Sequence, residues 1–164
     1  MGEEIDMLRT LLLIPACLSF IVVMGGATYE HLAVVPAWTA AVPASLAMFQ
    51  GEYGLVAQNF WIPIHPLTIV LLVVGLIANW RTERRVYVAA TLGGYLVILA
   101  ATFLFFVPEL MSLIGTPYSQ AVDAELTRRA NLWETLSLVR LGVLGLLAVV
   151  LLLGLSKPAE RKMS

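Results

Sequence analysis

The chain has one cysteine, Cys17, in 164 residues. A single thiol excludes an internal disulfide, a paired-thiol redox centre and a metal site built from several cysteines. Charge is also scarce: Asp, Glu, Lys and Arg make up 13% of the residues, against roughly a quarter in an average soluble domain. The net charge of −1 comes with no basic tract, so there is no electrostatic footprint for nucleic acid. Internal repeats, low-complexity tracts and linkers are missing as well. What remains is apolar. Hydrophobic residues are 60% of the chain and the mean hydropathy is +0.88.

That apolar content is arranged in long runs. Residues 10–29 and 86–107 contain no Asp, Glu, Lys, Arg or His, while 62–80 contain only His65 and 136–156 only Arg140. Each run is close to the ~20 residues that cross a hydrocarbon layer as a helix. All are apolar around most of their circumference, which suits lipid better than one-sided burial. Four buried helices of a soluble protein are the alternative, but the chain has too little polar sequence to cover them. The small residues Gly25, Gly26 and Ala27 after the first run resemble a signal-cleavage site. The acidic start, with Glu3, Glu4 and Asp6 against Arg9, and the length of the run argue that it is an uncleaved span. The expected fold is an all-α membrane protein. It is one domain over 1–164, a four-transmembrane-helix bundle with spans near 9–33, 62–80, 86–107 and 133–156, and a short interfacial helix in the first outer loop.

Charge sets the orientation. Arg9, Arg81, Arg84, Arg85, Lys157, Arg161 and Lys162 lie on one side and only Arg128 and Arg129 on the other. The positive-inside rule then places both termini in the cytoplasm and the connections 36–61 and 108–135 outside a plasma or inner membrane. Leu46, Phe49, Tyr53, Val56 and Phe60 recur at helical spacing, which predicts an interfacial helix resting as a lid on the outer ends, weakened by Gly51 and Gly54. In the second connection Ser119 is positioned to cap a helix that runs into the fourth span, with Glu125 and Arg129 as a solvated i,i+4 pair. Trp38, Trp61, Trp80 and Trp133 fit aromatic belts at the two interfaces.

Ionisable groups inside a membrane normally face a partner or a cavity. Counted at 1.5 Å per residue from the cytoplasmic edge, His65 and Arg140 both lie ~6 Å below the outer boundary. Glu30 reaches that boundary, and Glu134 and Glu109 fall just beyond it. Tyr29, Glu30, His31, His65, Glu109, Asn131, Glu134 and Arg140 thus collect in one outer layer, while the cytoplasmic half offers little beyond Asn79. Trp61, His65, Thr68, Gly75 and Asn79 share one face of the second helix, and Gly26 and Ala27 below Glu30 permit close helix approach. A neutral imidazole at His65 is suited to general-base work, and Arg140 to stabilising an enolate-like charge. His65 with Glu30, Glu134 or His31 is chemically able to hold iron, zinc or manganese, and His31 with His65 to hold a haem, although no compact ligand motif or haem-attachment motif is present. Metal and cofactor therefore stay unassigned. The bland readings are that Arg140 pairs with Glu30 or Glu134 to staple helices, that His65 only bonds a backbone carbonyl, and that His31 and Glu109 are interfacial and solvated. Cys17 reads as inert core.

The stretch Gly25-Gly26-Ala27-Thr28-Tyr29-Glu30, then Pro36-Ala37-Trp38, then Phe60-Trp61-Ile62-Pro63, with Asn131 and Arg140 leading the fourth helix, resembles the anthrone oxygenase-like family of small four-helix membrane proteins. The resemblance covers most of the chain through short motifs. It implies oxygen-dependent oxidation of anthrone-type polycyclic compounds, with Glu30, Trp61, Asn131 and Arg140 as the matching positions; His65 comes from the residue reading alone. The expected site has His65, Arg140 and Glu30 as catalytic groups and Tyr29, Trp61, Asn131 and Glu134 around a lipophilic small molecule that enters from membrane lipid. The competing expectation is a non-catalytic accessory subunit or ligand-binding protein whose polar cluster locks the bundle. Transport fits less well, because polar groups do not run through the full depth. The glycines at 93, 94, 142 and 145 permit close packing in an oligomer or larger complex without naming the partner.

Overall fold

The computed structural model describes residues 2–160, so Arg161 and Lys162 lie outside the described residues. Four helices are long and apolar enough to cross a membrane: α1, Gly2–Thr39; α2, Gln58–Ala78; α3, Arg84–Ile114; and α4, Ala124–Leu155. They form an antiparallel bundle in which α1 packs against α2 and α4, and α3 packs closely on α4. Leu13, Ala16, Phe20, Val23, Leu72, Val88, Tyr95, Leu144 and Leu151 fill its interior. The chain is a multi-pass integral membrane protein.

The first and last described residues and the 79–83 turn share one end. Arg9 Nη1 donates to Asp6 Oδ1 at 2.8 Å and to the carbonyl of Ala159 at 2.9 Å. Asn79 Nδ2 donates to the carbonyls of Gly75 and Arg9 at 2.9 and 3.2 Å. Arg84, buried although charged, gives Nε to the carbonyl of Lys157 at 2.7 Å and Nη1 to Thr10 Oγ1 at 2.9 Å. These bonds clasp the start of α3 to the end of α4 and the first turns of α1, satisfying helix-terminal carbonyls that water or a cap must otherwise cover.

At the other, distal end the helices run further than the apolar windows alone indicate. α1 continues past Tyr29 to Thr39, and α3 continues through Pro108 to Ile114. Each does so by way of a π-turn, Glu30–Val34 in α1 and Thr102–Phe106 in α3. The cause is readable in the residues that follow. Pro36 and Pro108 have no N–H, and their rings press on the carbonyls four residues back, at Leu32 and Leu104. A widened i→i+5 turn absorbs that clash without ending the helix. The prolines that read in sequence as stops are therefore bridged.

The extensions build a second core from Val35, Trp38, Val42, Leu46, Phe106, Leu113, Ala130 and Trp133. Trp38 and Trp133 are 2% and 5% exposed, with ring centroids 5.4 Å apart. Trp133 Nε1 donates to the carbonyl of Phe106 at 2.9 Å, at the end of the α3 π-turn. These two tryptophans are core residues and not belt anchors; Trp80 keeps the exposure an anchor needs.

The first connection also departs from expectation. Only Ala44–Phe49 is helical, as a short 3-10 turn, and its Leu46 and Phe49 pack in the Trp38 core. Gly51 takes φ 77° and ends the turn, a conformation that L side chains rarely adopt. Tyr53 is 93% exposed and Phe60 already belongs to α2, so the Leu46–Phe60 stripe is not one helix and the segment is a buttress for the extended end of α1. In the second connection Asp123 caps α4, accepting from the amides of Glu125 and Leu126. Ser119 instead accepts from the amide of Ala121. Asp outcompetes it because its carboxylate meets the helix start directly. Glu125 pairs with Arg128, leaving Arg129 to form a two-pronged pair with Glu109 at 2.8 and 2.9 Å.

Candidate functional site

The polar layer sits where the two π-turns flank the bundle, and each helix contributes to it. From α1, Glu30 opens the first π-turn, and its Oε1 accepts from Trp61 Nε1 of α2 at 2.8 Å. Trp61 lies parallel to His65 one turn on, with centroids 5.2 Å apart and planes at 21°. His65 Nδ1 meets Tyr95 Oη of α3 at 2.7 Å. Tyr95 is fully buried against Phe20. Beneath it, Ser19 and Thr68 hydroxyls are 2.6 Å apart, and Thr68 donates to the carbonyl of Ile64.

With the single Thr68 proton on Ile64, Ser19 donates to Thr68. The contact with Tyr95 is compatible with both tautomers of His65: Nδ1–H donates to Tyr95 Oη, or the Tyr95 O–H donates to Nδ1. In the first, Nε2 carries the lone pair, and it has no hydrogen-bond partner among the described residues.

Arg140 of α4 is held differently from the paired arginines among the described residues. Its Nη1 donates to Thr102 Oγ1 at 3.1 Å and its Nη2 to Ser137 Oγ at 2.7 Å. The guanidinium carbon lies 4.2 Å over the centre of the Phe106 ring. Thr102 and Phe106 are the first and last residues of the α3 π-turn, so the turn that Pro108 imposes shapes the cradle. Among the described residues no carboxylate lies within 4.0 Å of Arg140. It does not pair with Glu30 or Glu134, yet it lies within electrostatic reach of both Glu30 and His65. Glu30, Trp61, His65, Thr102 and Arg140 are all half-buried, so the cluster keeps an open side.

The structure thus brings Glu30, Trp61, His65 and Arg140 into one layer and leaves three other expected residues outside it. Tyr29 is 66% exposed, because the residue before Glu30 is turned about 100° around the helix. Asn131 is exposed, since nine residues on a helix turn it about 180° from Arg140. Glu134 lies about 9 Å along the axis from Arg140, and its Oε2 accepts from Thr39 Oγ1 at 2.6 Å in the distal core. His31 is buried rather than solvated. Its Nδ1–H donates to the carbonyl of Ala27 at 2.8 Å, and Nε2 is without a partner. Glu109 is engaged by Arg129. Among the described residues no three His, Cys, Asp or Glu side chains gather as a metal-ligand set.

Tyr95, Thr102 and the Thr68–Ser19 pair were not singled out as site residues. The available signal was the row Thr91, Tyr95 and Thr102, the polar-tipped residues on one face of an otherwise apolar third span. Two open clefts lie elsewhere. One of about 360 Å³ is at the distal loops around Pro43, Pro117 and Asp123, and one of about 280 Å³ is formed by Trp80, Arg85, Val86 and Ala89. Neither includes the cluster.

Fold and site define a class: an integral membrane four-helix bundle with an intramembrane polar cluster between two π-turns. No family model, curated protein or solved structure matches the chain.

Proposed function

We propose that the protein is a membrane-embedded, oxygenase-like enzyme that acts on a lipophilic, anthrone-type small molecule. On this reading both termini are cytoplasmic, following the distribution of Lys and Arg, and the cluster lies in the outer leaflet of a plasma or inner membrane. The observation that carries the reading is the pair His65 and Arg140. An imidazole in contact with Tyr95 and a guanidinium without a carboxylate partner are both half-buried. An intramembrane ion is expensive and implies a function by default.

The chemistry that suits this pair is abstraction of a proton whose negative charge is delocalised by conjugation onto a carbonyl oxygen. His65 Nε2 takes a proton from the acidic CH2 of the substrate, and the negative charge moves to the carbonyl oxygen, where Arg140 stabilises it. Dioxygen is the oxidant. It bonds to the carbanion carbon, and the proton returns to give a hydroperoxide. Loss of water then leaves a ketone, so the CH2 and one O2 become C=O and H2O. Glu30 and Trp61 form the wall on the α1–α2 side. Substrate reaches the site laterally through lipid.

A second reading has its own support. Trp61–Glu30 ties α2 to α1 and Arg140–Thr102 ties α4 to α3, as expected of a non-catalytic accessory or ligand-binding protein whose cluster locks the bundle. Oxygen consumption with anthrone by purified protein, beside His65→Ala and Arg140→Ala, separates the two. Folded variants that lose turnover support the enzyme. Variants that lose stability while turnover per folded molecule is unchanged, or a wild type with no turnover, support the lock.

A further inference from the structure

Glu30 and Arg140 are an acid and a base that the fold keeps apart. Opposite charges in a low-dielectric layer attract strongly, and direct pairing is the usual outcome inside a membrane. Here each is tethered away from the other, Glu30 by the Trp61 indole N–H and Arg140 by the Thr102 and Ser137 hydroxyls. Glu30 Oε2 accepts from no described residue, and Arg140 Nε donates to none. One is a free acceptor and the other a free donor, and both belong to half-buried side chains.

We infer that Glu30 and Arg140 form the two sides of a slot for the hydroxyl of a lipid-soluble phenol or enol. Its O–H donates to Glu30, and its oxygen accepts from the Arg140 guanidinium. Its ring lies beside the parallel Trp61–His65 pair. A hydroxyl on an aromatic ring fits both sides because it donates and accepts at one atom, and aromatic rings favour offset stacking on such a platform. A ketone or ether satisfies Arg140 only, and an ammonium group satisfies Glu30 only. The inference rests on reading the cluster as a ligand site, and it adds ring hydroxyl groups, beside the ketone and CH2 already considered, to what that site recognises.

The test is equilibrium binding of 1-naphthol and 1-methoxynaphthalene to the full chain in lipid nanodiscs, followed by probe fluorescence. The two probes have the same ring and differ in the O–H. The slot predicts 1-naphthol binding about tenfold or more tighter than the ether, the size expected for a hydrogen bond to a charged group. Glu30→Gln should bring 1-naphthol affinity down towards that of the ether, whereas Arg140→Gln should weaken binding of both probes. Equal binding of the two probes to the wild-type protein overturns the inference without any variant, as does a preference that survives Glu30→Gln. Naphthol preference without oxygen-dependent turnover keeps the slot and overturns the oxygenase reading. Turnover without naphthol preference does the reverse.

Discussion

The two ends of the bundle solve the same problem with opposite materials. At the end bearing the termini, polar groups do the joining. Arg84 and Arg9 reach backbone carbonyls of the chain's last turns, and Asn79 reaches the carbonyl of Arg9. At the distal end two tryptophans and their aliphatic neighbours do the joining. Charged pairs such as Arg129–Glu109 sit at its rim, with side chains 31% and 25% exposed. Between these ends lies Arg140, which has neither carboxylate nor backbone carbonyl and relies on two hydroxyls and a ring. The comparison teaches that arginine location alone says little about role. Arg84 is the more buried, and its partners are the carbonyl of Lys157 and the hydroxyl of Thr10; Arg140 is less buried and bonds hydroxyls alone.

The largest effect that would break this comparison is expected at the distal core. Trp133→Ala removes the contact with Trp38 and the bond to Phe106, and should destabilise the protein by about 3–5 kcal/mol, the usual range for a core Trp truncation. Unfolding in detergent followed by tryptophan fluorescence measures it; a change below about 1 kcal/mol would show that the distal core does not hold the helices together.

Next is the clasp. Arg84→Met keeps much of the stem but removes the bonds to Lys157 and Thr10, and is expected to cost about 2 kcal/mol. Proteolysis of the carboxyl-terminal tail should quicken while 1-naphthol affinity stays the same. Affinity falling in step with stability would mean that the two ends are coupled.

Thr102→Val sharpens the comparison within a single helix. It frees one side of Arg140 and should lower turnover about tenfold through lost positioning, with a stability change under about 1 kcal/mol, as membrane hydrogen bonds generally give. Thr91→Val, whose hydroxyl bonds the carbonyl of Tyr87 one turn back in the other half of α3, should leave turnover unaltered. Equal losses in both would assign the effect to the helix and not to Arg140.

The last comparison, whose outcome is a small difference between two variants, is of two glycines. A Cβ on Gly154 would lie 2.6 Å from Tyr87 Cβ, whereas one on Gly26 would crowd the Phe60 ring tip at 2.7 Å and touch the Trp61 ring at 3.6 Å. Gly154→Ala must separate α3 from α4 and should cost about 1–3 kcal/mol, as overpacking does. Gly26→Ala should cost less, because Phe60 can swing away; matched thermal unfolding curves would check the order.

Much of the fold was legible in the sequence, because twenty apolar residues in a row have one stable destination. The expected interfacial layer was legible too, since a charge among such residues stands out. Its pairings were not. That Glu30 would meet Trp61, that His65 would meet Tyr95 and that Arg140 would rest on Thr102 depends on how far each helix slides and turns against its neighbour. Asn131 and Tyr29 were misplaced for the same reason: proximity in sequence to Arg140 or Glu30 does not put a residue on the same helical face. The distal extensions were hidden because Pro36 and Pro108 look like helix stops until a widened turn is allowed for.

The sequence by itself determined a four-span membrane bundle, because transfer of residues from water to lipid depends on composition and length alone. The tertiary structure decided which of those groups are satisfied and which are left open. Hydrogen bonds between helices are set by register and rotation, and these follow from the packing of whole surfaces. The same packing carries Trp38 and Trp133 into a core, ties Arg84 to the carbonyl of Lys157, and leaves Glu30 and Arg140 with partners other than each other.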